Sequence, residues 1–332
     1  MAGPVPGRRG LARPHRPDPG GGVAVGAAAT RLIEWTGERC VPWTDDVQVV
    51  YEHLGRYHFA APVTRGRRVV DVGSGEGYGA ALLAAVAAEV VGIELDPLSV
   101  EHARLNHVRP NLHFVQGSVL DRAAYGDRRF DAAVCFEVLE HLEEQDVLLG
   151  NIAEALTDDG LLLISTPDRE VYSAPGATPN PYHVRELTMG EFDGLLHAHF
   201  PHVAIWGQWT VSGARFEALT PPAPDGAAQS IDVGLREGGW EVTGAPRPVY
   251  LLAAASRSPL PPLPGSWELR DHGLELAQVV RRQLGDALQR IAELEARLAG
   301  PATAAPSPVD RLRGLGRRGA DVIRRAARRA SG

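Results

Sequence analysis

The chain has 332 residues, 44% of them hydrophobic and 6% aromatic, with a formal net charge of −7. That length and apolar content suit one sizeable domain with extensions, and no apolar run approaches the ~20 residues of a membrane-spanning helix. Two cysteines, Cys40 and Cys135, exclude a disulfide framework and lack CxxC spacing; every basic residue is arginine, which excludes a lysine Schiff base or a P-loop lysine.

Charge is uneven along the chain. Residues 309–332 hold eight Arg against two Asp, and residues 1–20 hold four Arg against one Asp. The body between them is strongly acidic, so no nucleic-acid-binding surface is expected over it. Residues 1–30 are rich in Pro, Gly and Arg and read as a disordered leader. The stretch "VAVGAAA" is too short and too weakly apolar for a secretory signal, so a reducing, cytoplasmic compartment is expected.

From residue 31 to 256, apolar strands alternate with helical stretches. "RVVDVG" (68–73), "VVGIEL" (90–95), "LHFVQG" (112–117), "DAAVCF" (131–136) and "LLLIST" (161–166) read as buried strands, with helices over 78–87, 97–106 and 143–156. Strand–helix alternation with short connections predicts an α/β, Rossmann-like doubly wound sheet. "HVAIWGQ" (202–208) and "PVYLLAAAS" (248–256) complete it as a hairpin, giving a mostly parallel seven-stranded sheet. The Pro/Gly-rich stretch 220–247 reads as a loop insertion and 257–266 as a Pro-rich linker. Over 267–299 a heptad places Ala277, Leu284, Ile291 and Leu298 at a and Val280, Ala287 and Leu294 at d. This is a short coiled coil, giving a homo-oligomer, or an amphipathic helix docked on its own domain. Residues 300–332 are a linker and an Arg-rich tail. The tail is either a basic amphipathic helix making weak contact with an anionic membrane, at the inner face, or a solvated basic segment.

"VVDVGSGEGYG" (69–79) runs from a strand through a glycine-rich turn into a helix. Glycines there let a ligand approach the backbone, and a helix N-terminus offers free N–H groups. A dinucleotide GxGxxG would need glycine where Tyr78 stands; the pattern is instead Asp71-x-Gly73-x-Gly75-x-Gly77. Glu94, 19 residues after Gly75, ends the next strand as a bidentate acceptor suited to ribose hydroxyls. "FVQGSVLD" closes the third strand, and "FDAAVCFEVLEHL" precedes "ALTDDGLLLISTP".

These four motifs, in this order, resemble the class I S-adenosylmethionine-dependent methyltransferases over residues 34 to 256. The resemblance implies S-adenosyl-L-methionine as cofactor, held by Asp71, Gly73, Gly75, Gly77, Glu94, Ser118, Val119 and Phe136. Ser118 departs from the Asp common at the adenine edge and leaves backbone recognition at Val119. "TGERCVP" (36–42), "YEHLGRYHFA" (51–60) and "GQWTVSGARF" (207–216) resemble methyltransferases encoded with bacterial surface-polysaccharide enzymes. That resemblance implies a lid helix within 31–66, with Glu52, His53, Arg56 and Tyr57 facing the active site, and a glycan or small-molecule acceptor.

"CFEVLEHLEE" (135–144) places Glu137, Glu140 and His141 at i, i+3 and i+4, on one face if the segment is helical. Similar ExxEH segments in quinone-type and small-RNA-type O-methyltransferases imply a divalent metal, Mg²⁺, Mn²⁺ or Zn²⁺. Here the ligands would be Glu137, Glu140, His141 and, from "NPYHVRELTMGEF", His183. Metal-free base roles for His141 or His183, and structural roles, stand as alternatives. The lead expectation is methylation of a sugar hydroxyl in a surface glycan or glycosylated metabolite. The runner-up acceptor is a phenolic or polyketide-type metabolite, and the third reading is a coiled-coil scaffold with a vestigial methyltransferase domain.

Overall fold

A computed structural model describes residues 40, 46–211, 232–236, 239–243 and 246–271. The leader 1–30, the heptad positions 277–298 and the Arg-rich tail lie outside the described residues.

Helix α1 (Val47–Thr64) starts at Asp46, whose side chain accepts from the Gln48 and Val49 amides. There follow β1 (Arg68–Val72), α2 (Tyr78–Ala84), β2 (Glu89–Glu94), α3 (Pro97–Asn106) and β3 (Leu112–Gln116). Then come β4 (Phe130–Phe136), α4 (Gln145–Ala155), β5 (Leu156–Pro167), the single turn α5 (Arg169–Tyr172), α6 (Met189–His199) and β6 (His202–Gln208). The last strands are β7 (Asp232–Arg236), β8 (Gly239–Thr243) and β9 (Tyr250–Ser256). The boundaries follow local chemistry. Asp96 caps α3 ahead of Pro97, which sits where no amide partner is needed. Thr188 and Glu191 form a reciprocal capping box for α6.

Seven strands form one sheet in the order β3-β2-β1-β4-β5-β9-β6. The first five are parallel, and β9 runs antiparallel between β5 and β6. This is the Rossmann-like, mostly parallel sheet expected, closed by the β6–β9 hairpin. Both faces are covered, which is why the strands read as unbroken apolar runs. Alternate residues sort to opposite cores. Val70, Val72, Ala133, Cys135, Leu162 and Ile164 pack with α4 and α6 through Leu148, Ile152, Phe192 and Leu196. Val69, Ala132, Val134, Leu161 and Leu163 pack with α1, α2 and α3 through Phe59, Ala80, Leu83 and Val100. Each such fully buried Leu or Val contributes ~1.5–3 kcal/mol.

The stretch 220–247, expected as a loop insertion, carries the two-stranded antiparallel sheet β7–β8. The alternation in "IDVGLR" and "GWEVT" was masked in the sequence by the surrounding Pro and Gly. Residues 257–271 run along the domain. Leu260 and Leu263 pack against the α1-side core, and the Trp206 indole N–H donates to the Pro264 carbonyl at 3.0 Å. The Trp267 ring meets Phe59 edge-on at 6.3 Å, and the Tyr51 hydroxyl donates to Asp271 at 2.5 Å. Among the described residues no helix is long and apolar enough to cross a membrane.

Candidate active site

The carboxyl ends of parallel strands gather loops from β1, β2, β4 and β5 into one crevice. The β1 loop begins with Gly73 at φ +74°, where a Cβ would lie 2.4 Å from a Val138 methyl carbon. Glycine is therefore required twice over, for the left-handed backbone and for the close approach of the β1 and β4 loops. Gly75, at φ +56°, would project a Cβ into open space; that side of the loop has room for a ligand. Gly77 caps α2.

Glu94 closes the next loop. Its Oε2 accepts the Gly75 amide and its Oε1 the Asp96 amide, both at 2.9 Å. The carboxylate is thus fixed at the glycine loop, and each oxygen retains a second lone pair for a hydroxyl. Asp71 is buried beneath it, and the Tyr57 hydroxyl of α1 donates to it at 3.2 Å. Burial pushes the Asp71 carboxyl up to about 7; the Tyr57 hydrogen bond opposes this and the Glu94 charge adds to it. Phe136 is buried with its ring 5.2 Å from Tyr57, edge to face. After β3, the Ser118 hydroxyl accepts the Leu120 amide at 3.2 Å. The buried Val119 offers its carbonyl to the Tyr125 hydroxyl at 3.0 Å. The donor-side residues thus fit S-adenosylmethionine: an open face at Gly75, a fixed carboxylate for ribose and a buried carboxyl facing away from water.

Helix α1 lies over this loop. Gly79 has no Cβ because one would overlap the Tyr57 ring at 1.9 Å. Glu52, Arg56 and Tyr57 are buried. His53 meets the Tyr78 hydroxyl at 2.9 Å, and burial, then Arg56, pushes its imidazole well below the usual range. The Arg56 guanidinium lies 4.6 Å over the Tyr250 ring, donates through Nε to Gln208 at 2.7 Å and faces Glu137 at 3.5 Å. Its Nη1 and Nη2 are buried without a hydrogen-bond partner among the described residues. Gln208 and Thr210 in turn bond Glu52.

The acidic and imidazole cluster differs from its helical expectation. The segment after β4 is a single 3-10 turn, Leu139–His141, preceded by Glu137 at φ +53°. Left-handed backbone at a non-glycine residue turns Glu137 away from its neighbours. Its Oε1 accepts the Ser165 hydroxyl at 2.6 Å, and its Oε2 faces Arg56. Glu137 therefore drops out of the expected four-ligand set. The remaining three stay together: one ligand atom each of Glu140, His141 and His183 lie within 4.8 Å of one another. Burial, then the Glu137 charge, pushes the Glu140 carboxyl well above the usual carboxylate range. The Thr166 hydroxyl donates to it at 3.2 Å.

His183 reaches this turn through backbone bonds: the Val184 and Arg185 amides donate to the Glu140 carbonyl at 2.8 and 2.9 Å. Gln145 ties the Leu139 and Arg185 carbonyls together from below. His141 Nδ1 lies 3.0 Å from the Tyr182 carbonyl, and His183 Nδ1 lies 2.6 Å from Glu186. A carbonyl or carboxylate behind an imidazole fixes its tautomer and orientation, the arrangement usual behind metal-bound histidines. The donor set O, N, N therefore fits a divalent metal, and equally a metal-free base. Sequence reasoning missed Ser165, Thr166, Tyr172, Glu186 and Tyr250. Only Glu186 left a trace, the three-residue spacing from His183 in "HVRE".

The family described as "Methyltransferase domain" matches residues 48–207. A protein of Mycobacterium tuberculosis, named a probable S-adenosylmethionine-dependent methyltransferase, is 36% identical over 193 residues, covering 55% of this chain and 67% of that protein. A Mycolicibacterium smegmatis relative of similar name is 37% identical over 51% of this chain and 65% of its own length. A ubiquinone biosynthesis O-methyltransferase of Xanthomonas campestris is 36% identical over 31% of this chain and 44% of its own. Among solved structures, a methyltransferase of Thermotoga maritima aligns with a TM-score of 0.43 at 14% identity, over 64% of this chain and 92% of that one.

Proposed function

This chain belongs to the class I S-adenosylmethionine-dependent methyltransferase family and is an enzyme of that kind; from its acceptor side we propose O-methylation of a sugar hydroxyl, in a surface glycan or a glycosylated metabolite. The observation that carries the oxygen acceptor is the Glu140–His141–His183 cluster at the strand ends beside the glycine loop. The donor supplies an electrophilic methyl group on a sulfonium. The acceptor oxygen bonds to the methyl carbon as the carbon–sulfur bond breaks and its electron pair returns to sulfur. The hydroxyl proton needs a base, and an imidazole of His141 or His183 can take it. Alignment of oxygen, carbon and sulfur is the larger part of such catalysis. Asp71, Glu94 and the glycine loop hold the donor, with Ser118, Val119 and Phe136 flanking its adenine and reactive ends.

The sugar is supported by the polar net of Glu52, Arg56, Glu137, Gln208 and Thr210 beside the aromatic faces of Tyr172 and Tyr250. Such a wall matches a hydroxyl-rich ligand better than a largely apolar phenol. The test is incubation with S-adenosylmethionine and two acceptor panels, simple glycosides and catechols, read by mass spectrometry. Methyl ethers on glycosides are expected. Methylation of the catechols alone would replace the sugar with a phenolic acceptor, and donor binding with neither product would favour the scaffold reading.

A second reading is favoured by the three clustered ligand atoms: Glu140, His141 and His183 hold Mn²⁺, Mg²⁺ or Zn²⁺. A metal there would hold the acceptor hydroxyl and lower its pKa. Chelator-treated enzyme should then lose turnover and regain it with Mn²⁺ or Mg²⁺; undiminished turnover in chelator removes this reading. Self-association through 267–299 and contact of residues 300–332 with anionic membrane belong to the same proposal. Co-sedimentation with anionic vesicles, lost on deleting 301–332, tests the latter.

A further inference from the structure

We propose that Glu186 is a positioning residue that holds His183 as its Nδ1–H tautomer, so that Nε2 carries the lone pair presented at the acceptor cluster. This rests on the reading of His183 as a group that acts on the acceptor hydroxyl. Nδ1 of His183 and Oε1 of Glu186 are 2.6 Å apart, with the two side chains only 7% and 8% exposed. The spacing of three residues is not helical here, because the loop lies between α5 and α6. The pair is therefore made by loop geometry and not by a regular repeat.

Two ring contacts, one of them itself braced, hold the ring. Tyr172 stacks on it at 5.0 Å with planes 29° apart, and the Asn180 amide donates to the Tyr172 hydroxyl at 3.2 Å. His141 meets the ring edge-on at 5.2 Å. The loop backbone is anchored on both sides, by the Val184 and Arg185 amides on the Glu140 carbonyl and by Arg169 on the Glu186 carbonyl. A stacked, edge-packed ring resists flipping, so which nitrogen carries the proton is decided by what surrounds the ring: the Glu186 carboxylate at Nδ1 and, in the cluster, Glu140, whose carboxyl burial pushes well above the usual range. A carboxylate is acceptor-only, and it selects the proton onto Nδ1. A neutral imidazole free in water prefers the Nε2–H form, which has no lone pair on Nε2, so the Glu186 carboxylate tips the ring toward the other tautomer.

Glu186 gives up solvent to do this. Its Oε2 is buried with no hydrogen-bond partner among the described residues. A buried, half-satisfied carboxylate is destabilising, and a structural tie between loop residues would be made more cheaply by a neutral amide. A negative charge behind the ring does what an amide does not: it stabilises the imidazolium that forms when Nε2 takes the hydroxyl proton. It also strengthens Nε2 as a ligand if a metal holds the acceptor.

The test is ¹⁵N NMR of the full chain labelled at histidine, at about pH 8 where an ordinary imidazole is neutral, with the His183 signals assigned by their loss in His183→Ala. The wild-type ring should show protonated Nδ1 and unprotonated Nε2. Glu186→Ala should move it to the Nε2–H form, while Glu186→Gln, whose carbonyl still accepts, should keep Nδ1–H. On a glycoside acceptor, Glu186→Ala should lower kcat about ten- to a hundredfold and leave the S-adenosylmethionine KM unchanged. Glu186→Gln should recover part of that loss, and His183→Ala/Glu186→Ala should be no slower than His183→Ala. An Nε2–H wild-type ring overturns the proposal even if Glu186→Ala does not fold, as does an unchanged tautomer in Glu186→Ala. Full turnover in His183→Ala with the expected tautomers would instead remove His183 from the chemistry and leave the positioning intact.

Discussion

The donor and acceptor sides of the crevice are built over different distances in the chain. On the donor side, Glu94 takes the Gly75 amide across 19 residues and Tyr57 reaches Asp71 across 14. On the acceptor side, His141 meets Tyr182 across 41 residues and Arg56 meets Gln208 across 152. A site made by one β-loop-α unit, its neighbour and the helix just before them can be carried intact into many proteins. A site made by α1, the β4 turn, the 180–187 loop and β6 can vary with each of them. The donor side thus carries the function that the family shares, while an acceptor side built over such distances can differ from one member to the next.

That contrast predicts separable losses. The largest is on the acceptor side: Glu140→Ala should cut turnover by about 10²- to 10⁴-fold, while S-adenosylmethionine binds as in wild type. Equal loss of binding would mean that the two sides are one. Next, Glu94→Ala should weaken the donor by about 1.5–3 kcal/mol, since a charged acceptor for two hydroxyls is lost; calorimetry reads this directly. A third test sharpens the role of the α1 lid. Gly79→Ala drives a Cβ into the Tyr57 ring and should cost ~1–3 kcal/mol of stability in denaturant unfolding. An unchanged midpoint would show that α1 lifts without penalty.

The smallest effect is in pH. The Asp71 carboxyl is raised to about 7, so in the ligand-free fold its protonated form is favoured below that pH. Its contribution to stability is full below the unfolded value and is lost as pH rises through about 7. The donor carries positive charge and favours the ionised form. Its affinity should therefore climb by about tenfold between pH 6 and 8, and Asp71→Asn should flatten that rise.

The same difference in chain distance explains what the sequence disclosed. The sheet, its helices and the glycine loop were legible because each rests on local periodicity or on a motif within a few residues. Glu94 was legible because strand length fixes its place relative to Gly75. Glu137 was misplaced because its backbone adopts φ +53°, which no helical spacing encodes. Arg56 was identified with its helix face, but not its pairing with Glu137, Gln208 and Tyr250, which depends on how distant strands meet. Glu186 and Tyr172 act on His183 through a loop with no repeat to reveal it. The β7–β8 strands were hidden by the Pro and Gly around them.

The most direct test of the separation is calorimetric titration of S-adenosylmethionine into the wild-type chain and into Glu140→Ala/His183→Ala. Both should bind one donor per chain with dissociation constants within about twofold, under 0.5 kcal/mol. A wild-type chain that binds no donor, or a double variant whose affinity falls tenfold or more, would contradict the account.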